Sequence, residues 1–293
     1  MTDTASSQPL REDVMPRPSE SGADRTVRDP GRALHLRSIV ALVPRKVVTL
    51  VVLILLWQLA ASLNDQFRFY NAVLVPSPLR IAAAGWDLVT SGELLVHVFA
   101  SLARVAGGMG VAIPLGVVCA FLVTSSRAAD TVLDPVIEAL RPVPSLALLP
   151  IFIVWFGIGE TTKVVFIAYS AFFIIFVSTA EGIRNIDPIL FQAAGSLGMN
   201  RWQTYRHVTF KAALPQIMVG IRIALATAWF LIVGAEFLAA NEGLGFLINF
   251  SRVWFQIDRM LFAAAVIGLL GLASNYLLLA LEARMFAWQE RRG

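Results

Sequence analysis

The stretch at residues 187–215, DPILFQAAGSLGMNRWQTYRHVTFKAALP, decides the fold of this chain. It is a polar, helix-forming segment between two long apolar ones. Asp187 followed by Pro188 is typical of a helix N-terminus, because Asp caps free N–H groups and Pro fits the first helical position. Gly198 predicts the end of that helix, since glycine adopts the left-handed conformation that commonly stops one.

A second helix is predicted after the glycine turn. Asn200 is a good N-cap residue, and Gln203 takes the reciprocal capping-box position three residues later. Pro215 is expected to open the apolar helix that follows. The first helix carries apolar residues at spacings of three and four on one face, namely Ile189, Leu190, Ala193, Ala194 and Leu197. The segment therefore predicts a helix–turn–helix that lies against a membrane domain and docks another protein.

The composition is that of an integral membrane protein. Of 293 residues, 57% are hydrophobic and 15% are charged, whereas an average soluble domain carries about 25% charged residues. Six segments approach the roughly 20 apolar residues that cross a bilayer as a helix: 47–63, 105–123, 142–158, 164–180, 217–238 and 261–281. Their interiors must be helical because lipid cannot satisfy free backbone groups. We therefore predict an all-α membrane protein with six transmembrane helices.

Basic residues predict the orientation. With the N-terminus in the cytoplasm, 17 of the 24 Lys and Arg residues lie inside and 6 lie outside, while Arg222 falls within a helix. The positive-inside rule therefore places both termini and residues 187–215 in the cytoplasm. We expect a multi-pass protein of the inner or plasma membrane. This topology explains the basic isoelectric point, so nucleic-acid binding is not predicted.

Residues 1–45 form a polar N-terminal tail, and residues 46–293 form the transmembrane domain. The tail is rich in Ser, Asp, Pro and Arg without apolar periodicity, so we expect it to be disordered. It is not a signal peptide, because the first apolar run begins only after Lys46. Cys119, the single cysteine, lies in a predicted span, which excludes an intrachain disulfide or cysteine metal cluster.

The chain lacks the sequence of a nucleotide-binding site. A phosphate-binding loop requires Gly-Lys-Ser/Thr, but the lysines at 46, 163 and 211 follow Arg, Thr and Phe. We therefore expect no cofactor in this chain. If ATP drives the protein, a cytoplasmic partner hydrolyses it.

Residues 187–215 resemble the EAA loop of ABC importer permeases. The matching residues are Gln192, Ala193, Ala194, Gly198, Val208, Leu214 and Pro215, with Gln192 standing where Glu is usual. Further motifs resemble the nitrate, sulfonate, taurine and bicarbonate branch of that family: the Pro-Ser-Pro turn at 76–78, the spacing from His97 to Arg104, the prolines at 135, 142, 144 and 150, and Trp-Phe-Gly-Ile-Gly-Glu at 155–160. Together the motifs span about residues 45–290.

The resemblance implies a type I ABC importer permease-like bundle with a cytoplasmic coupling-helix loop at residues 187–215. It also implies a homodimer, two copies of a cytoplasmic ABC ATPase subunit and an extracytoplasmic solute-binding protein. Similar permeases carry nitrate, alkanesulfonates, taurine, bicarbonate and some heterocyclic vitamins or their precursors. We expect a small anionic solute, recognised chiefly by the binding protein.

Six residues are candidates for the translocation path or its gate: Glu236, Gly243, Gly245, Pro144, Pro150 and Arg222. A carboxylate at membrane depth usually faces an interior or an aqueous path, although Glu236 could instead reach the interface. Pro144 and Pro150 lie in the third predicted span. Prolines break a membrane helix either where the break lines a solute path or where a kink improves the packing of the helices. Arg222 extends its side chain to the cytoplasmic interface or forms an ion pair within the bundle.

Two other function classes compete with an ATP-driven permease. A self-sufficient secondary transporter or channel is disfavoured because no internal repeat is visible and few ionisable groups lie at mid-membrane. An intramembrane enzyme needs a catalytic constellation, and none is present in the sequence. His97 lacks a partnered second ligand in the sequence, so we interpret it as structural rather than catalytic.

Overall fold

The computed structural model describes the backbone of residues 31–69 and 71–285, with side chains from Val48 onward. In these residues every regular element is helical, which confirms the predicted all-α class. The long helices are α1 Gly31–Phe67, α3 Glu93–Ser125, α6 Glu160–Arg184, α9 Phe210–Ala239 and α11 Ile257–Met285. The shorter ones are α2 Pro78–Thr90, α4 Arg127–Leu140, α5 Ser145–Phe156, α7 Pro188–Ser196, α8 Arg201–Thr204 and α10 Leu244–Val253.

Among the described residues, five helices are long and apolar enough to cross a membrane, and a bent pair raises the number to six if it counts as one span. The bent pair is α4 and α5, which meet at 103°. Helix α5 has 12 residues, or about 18 Å at 1.5 Å per residue, and is shorter than the roughly 30 Å hydrocarbon core. The predicted third span at residues 142–158 therefore corresponds mainly to α5, which counts as a full span only together with α4 as a bent pair.

Prolines explain the break. Pro144 is the N-cap of α5, with the extended backbone ψ of 112°, and Pro142 lies in the turn before it. Pro150 lies inside α5, where it lacks the N–H that would bond to the Leu146 carbonyl. The prediction that prolines interrupt the third span is confirmed for Pro142 and Pro144, which lie at the break, and is wrong for Pro150, because α5 continues through it.

Helix α1 begins earlier than expected. Its first residue is Gly31, within the predicted disordered tail at residues 1–45. No proline or glycine lies between Ala33 and Val43 to stop a helix, and α1 continues through Pro44. The part of the tail at residues 1–30 lies outside the described residues.

The core forms where α6 packs between α3 and α9. Its large buried side chains include Phe166 and Ile175 of α6 and Trp229 of α9. Helix α3 approaches α6 closely at two glycines, since a Cβ at Gly116 would lie 2.9 Å from Ile175 Cγ2 and one at Gly108 would lie 2.5 Å from Ile167 Cγ2. Small residues at such crossings are the common means of packing membrane helices.

We predict that Gly116→Ala destabilises the bundle. The new methyl group would overlap Ile175, and overpacking of this kind costs about 1–3 kcal/mol. Gly110→Ala is the matched control, because a Cβ there meets nothing within 4 Å. The midpoint of thermal unfolding in detergent should fall for Gly116→Ala and hold or rise for Gly110→Ala; equal midpoints would show that the helices do not approach here.

Candidate functional site: coupling hairpin and charge cluster

The first half of the coupling hairpin, residues 187–215, folds as its capping residues predict. The Asp187 side chain accepts a hydrogen bond from Ile189 N–H at 2.9 Å. Gly198 has a φ of 69°. Met199 N–H donates to the Ala194 carbonyl at 3.1 Å and Gly198 N–H donates to the Gly195 carbonyl at 3.0 Å. These bonds form a Schellman motif, which satisfies carbonyls that the helix end would leave free.

The second half begins with the predicted capping box. Gln203 N–H donates to Asn200 Oδ1, and Asn200 N–H donates to Gln203 Oε1, both at 2.9 Å. A π-helical turn at Tyr205–Thr209 follows and leads directly into α9. Residues 201–239 thus form one continuous helical span.

The prediction that Pro215 opens a new helix is wrong. Pro215 lies inside α9, as its sixth residue. Its missing N–H leaves the Lys211 carbonyl without the usual helical donor. The chain nevertheless remains helical, because the flanking residues keep helical backbone angles and the π turn upstream adds a residue to the helix without ending it.

The hairpin exposes apolar side chains. Leu197 is 80% exposed, Trp202 is 71% exposed and Ile189 is 61% exposed, whereas Ala194 is 3% exposed. Of the other coupling residues, Gln192 and Ala193 are exposed, and Val208, Leu214 and Pro215 are half-buried. Only Ala194 of α7 is thus buried, and the large apolar side chains of this helix are mostly uncovered.

A charge cluster lies at the first residues of α6 and the last residues of α9, away from the hairpin; three of its side chains are buried, and the fourth, Glu160, is 61% exposed. We define it as Arg104, Glu160, Lys163 and Glu236. The Arg104 guanidinium is 1% exposed and bonds to Glu236 at 2.7 Å and to both oxygens of Glu160 at 2.5 and 2.8 Å. Lys163 Nζ bonds to Glu160 at 2.7 Å. Arg104 also donates to the Glu242 carbonyl at 2.7 Å and lies 3.7 Å from the Glu242 carboxylate. The two positive groups of the cluster are thus paired with its two carboxylates where α3, α6 and α9 meet, and Arg104 also contacts a third carboxylate outside it.

Glu236 is held from several directions. Ser101 Oγ lies 2.8 and 3.0 Å from its two carboxylate oxygens, and Gly245 N–H donates to Oε2 at 2.7 Å. The Ser101 hydroxyl in turn accepts a bond from Leu244 N–H at 2.9 Å. Glu236 is 1% exposed, so it faces the protein interior, one of the two environments predicted for it.

Gly243 packs directly against the charge cluster. Its φ is 118°, a backbone conformation that residues with a Cβ atom rarely adopt. Its N–H donates to His97 Nδ1 at 3.0 Å, and a Cβ would lie 2.5 Å from Arg104 Nη1. His97 is thus a structural histidine that fixes the loop before α10, as predicted.

Arg222 forms an ion pair with Glu282 of α11. Two alternatives were predicted for Arg222: an ion pair within the bundle, or a side chain that extends to the cytoplasmic interface. This geometry favours the ion pair. Arg222 also lines an apolar cavity of about 820 Å³ between α9 and α11. Whether it contacts solute stays a prediction, as does the role of Pro144 and Pro150.

Sequence reasoning missed the cluster as a unit. The predicted spans begin at residues 105 and 164, which leaves Arg104 and Lys163 just outside them, and Glu160 is predicted only as the last residue of a family motif. A usable signal existed, because all three lie within a few residues of predicted span ends, as Glu236 does. Ionisable residues at such positions commonly pair with one another.

Comparisons with known proteins agree with this architecture. Residues 112–287 match the family described as binding-protein-dependent transport system inner membrane component. The putative aliphatic sulfonates transport permease protein SsuC of Escherichia coli is 36% identical, over 80% of this chain and 88% of that protein. The taurine transport system permease protein TauC of the same organism is 33% identical, over 82% and 88%.

A solved structure supports the fold. The inward-facing MetNI methionine ABC transporter superposes with a TM-score of 0.55 over 66% of this chain and 94% of that chain, at 20% identity. A helical bundle with a helix–turn–helix between two spans is thus the architecture of an ABC importer permease. The chain belongs to the binding-protein-dependent transport system inner membrane component family. Its relatives are transport permeases, which implies that it is not itself an enzyme.

Proposed function

We propose that this chain is the translocation subunit of an ATP-driven importer for a small oxyanion of the sulfonate type. Relatives named for aliphatic sulfonates and taurine, at 36% and 33% identity, support this substrate class. The chain forms a homodimer, receives solute from an extracytoplasmic binding protein and docks two ATPase subunits. Both termini lie in the cytoplasm, as the excess of basic residues favours.

The observation that carries the proposal is the uncovered apolar face of the coupling hairpin. Leu197 and Ile189 on α7 and Trp202 on α8 are mostly exposed. Apolar patches of this kind at a polar end of a membrane bundle mark a protein-binding surface. The ATPase subunit covers it, and no nucleotide-binding sequence in this chain replaces that partner.

The helices supply the mechanical connection. The span from Arg201 to Ala239 is one continuous helix, so Arg201 in the hairpin lies about 50 Å along its axis from Glu236 at 1.5 Å per residue. Helix α6 makes the same connection from Arg184 to Glu160. Closure of the ATPase dimer displaces the hairpin, and the two helices transmit that displacement to the charge cluster.

We place the gate of the translocation path at the charge cluster. Glu236, Gly243 and Gly245 hold α9 to the loop before α10 in the state described, and their separation opens the end opposite the hairpin. Pro144 and Pro150 keep the α4–α5 break beside the path, and Arg222 fixes α9 to α11 near the hairpin end.

Uptake competition tests the substrate class. Proteoliposomes that hold the chain with its ATPase subunit and binding protein are supplied with ATP and labelled ethanesulfonate. We expect uptake that unlabelled alkanesulfonates suppress and that nitrate, bicarbonate and riboflavin do not. Uptake of any of these three in preference to sulfonates contradicts the proposed substrate.

A further inference from the structure

A groove lies at the hairpin end of α3, α8 and α9, outside the charge cluster. Its volume is about 450 Å³, within the range of about 300–1,000 Å³ that is typical of small-molecule sites. We call it the interfacial groove. Its apolar lining consists of Val117, Val118, Phe121 and Leu122 of α3 and Phe210 of α9. The groove lies where these two helices meet, since the ring centroids of Phe121 and Phe210 are 6.0 Å apart.

The apolar part of the groove lies at the depth of one bilayer leaflet. Helix α3 is long and apolar enough to span the membrane, and its last residue is Ser125. Val117 lies about 12 Å from Ser125 at 1.5 Å per residue, close to half of the roughly 30 Å hydrocarbon core. Val118 and Leu122 are 54% and 49% exposed. An acyl chain of the leaflet on the hairpin side therefore has access to the groove.

The remaining lining has the composition of a headgroup site. It includes Trp202, Tyr205 and Arg206, from α8 and the π turn. Trp and Tyr are enriched where a membrane meets water, and a guanidinium binds phosphate through two parallel hydrogen bonds. Arg206 is exposed, as a side chain that contacts a headgroup at the membrane surface has to be. Apolar, aromatic and cationic groups thus line one groove.

Charge complementarity selects an anionic lipid. Residues 188–235 contain four Lys or Arg residues and no Asp or Glu. Among the described residues that line the groove, Arg206 alone is charged. Basic pockets at the ends of membrane helices favour negatively charged headgroups. A zwitterionic headgroup brings its own cation close to Arg206 and therefore gains less from the contact.

We propose that the interfacial groove binds one anionic phospholipid, with an acyl chain along α3 and the phosphate at Arg206. The proposal does not depend on which solute is transported. Because the lining comes from α3 and from the second half of the coupling hairpin, a bound lipid connects the two and limits the movement of the hairpin. Trp202 also belongs to the surface assigned to the ATPase subunit, so it stays unchanged in the test.

Native mass spectrometry of the full chain in detergent measures lipid binding directly. The purified chain is stripped of lipid and titrated with phosphatidylglycerol or with phosphatidylcholine that has the same acyl chains. We expect the first phosphatidylglycerol to bind at concentrations roughly ten-fold below those that phosphatidylcholine needs, the effect of one charged hydrogen bond. Arg206→Gln should remove this difference between the two lipids.

Three further variants separate the groove from its surroundings. Arg201→Gln is the matched control for charge, because Arg201 is exposed on α8 but does not line the groove; it should keep the preference. Val118→Trp fills the groove and should weaken the binding of both lipids. Leu115→Trp is the matched control for bulk, since Leu115 is 52% exposed on the same helix and lies outside the groove; it should bind both lipids as the wild type does.

A preference that requires Arg206 and an open groove supports the proposal. Equal affinity for the two lipids, equal losses in Arg206→Gln and Arg201→Gln, or unchanged binding in Val118→Trp overturns it. Displacement of the lipid by the ATPase subunit, or a lipid-free dimer that Val118→Trp dissociates, also overturns it, because a protein partner then covers the groove. None of these results changes the expected uptake of sulfonates, so the proposed function is tested separately.

Discussion

Arg104→Met should be the most destabilising single substitution in the charge cluster. It leaves Glu236 buried without its cation, and removal of one member of a buried ion pair costs about 3–5 kcal/mol. For a chain of this size that loss lowers the midpoint of thermal unfolding by roughly 10 °C. The measurement is thermal unfolding in detergent, followed by near-ultraviolet circular dichroism.

Two variants control for this effect. Arg80→Met removes an arginine whose partner Asp65 lies 3.8 Å away, with both side chains 53% exposed, and such a surface pair contributes about 0–1 kcal/mol. The double variant Arg104→Met/Glu236→Leu removes the isolated charge and should recover part of the loss. Equal midpoints for Arg104→Met and Arg80→Met would show that the cluster does not hold the bundle together.

Gly198→Val should abolish retention of the ATPase subunit while the chain still inserts and folds. Gly198 has a φ of 69°, and a left-handed conformation costs an ordinary residue about 1–2 kcal/mol, more for a β-branched one. The hydrogen bonds of the Schellman motif are then lost, and α7 is no longer held in a fixed orientation relative to α8. We expect at least roughly ten-fold weaker association of the ATPase subunit, measured by co-purification and by ATP-driven uptake.

Two further substitutions in the hairpin test whether the left-handed backbone at Gly198 is the cause of the weaker association in Gly198→Val. Gly198→Asn should retain most of the association, because asparagine tolerates the left-handed region. Gly195→Ala should also retain it, since Gly195 lies in α7 and a Cβ there meets nothing within 4 Å. Wild-type uptake by Gly198→Val would contradict the role assigned to the turn.

Local signals made the coupling hairpin predictable from sequence. The helix ends of the hairpin are set by hydrogen bonds between residues a few positions apart, at Asp187, Gly198 and Asn200. The types and spacing of these residues are therefore enough to predict where the helices begin and end. The prediction for Pro215 was wrong because proline is favoured at a helix start and costs about 3 kcal/mol or more in a helix interior. Only the tertiary packing of α9 decides between these two structures.

The charge cluster could not be predicted in the same way. Arg104 and Glu236 are 132 positions apart, and no local pattern links residues at that separation. A count of basic residues also treats each charge as exposed to water, whereas Arg104 and Lys163 are buried among carboxylates and backbone groups. The six apolar segments were predictable by hydropathy, but the 103° break at the third one depended on how Pro142 and Pro144 fit the bundle.

The central claim is that the chain moves solute only when an ATPase subunit acts on the coupling hairpin. The most direct test compares ATP-dependent ethanesulfonate uptake by proteoliposomes that hold the chain and its binding protein, with and without the ATPase subunit. We predict uptake with the ATPase subunit and none without it, even under an imposed proton or sodium gradient. Uptake by the chain without the ATPase subunit would contradict the claim and would identify a self-sufficient secondary transporter or channel.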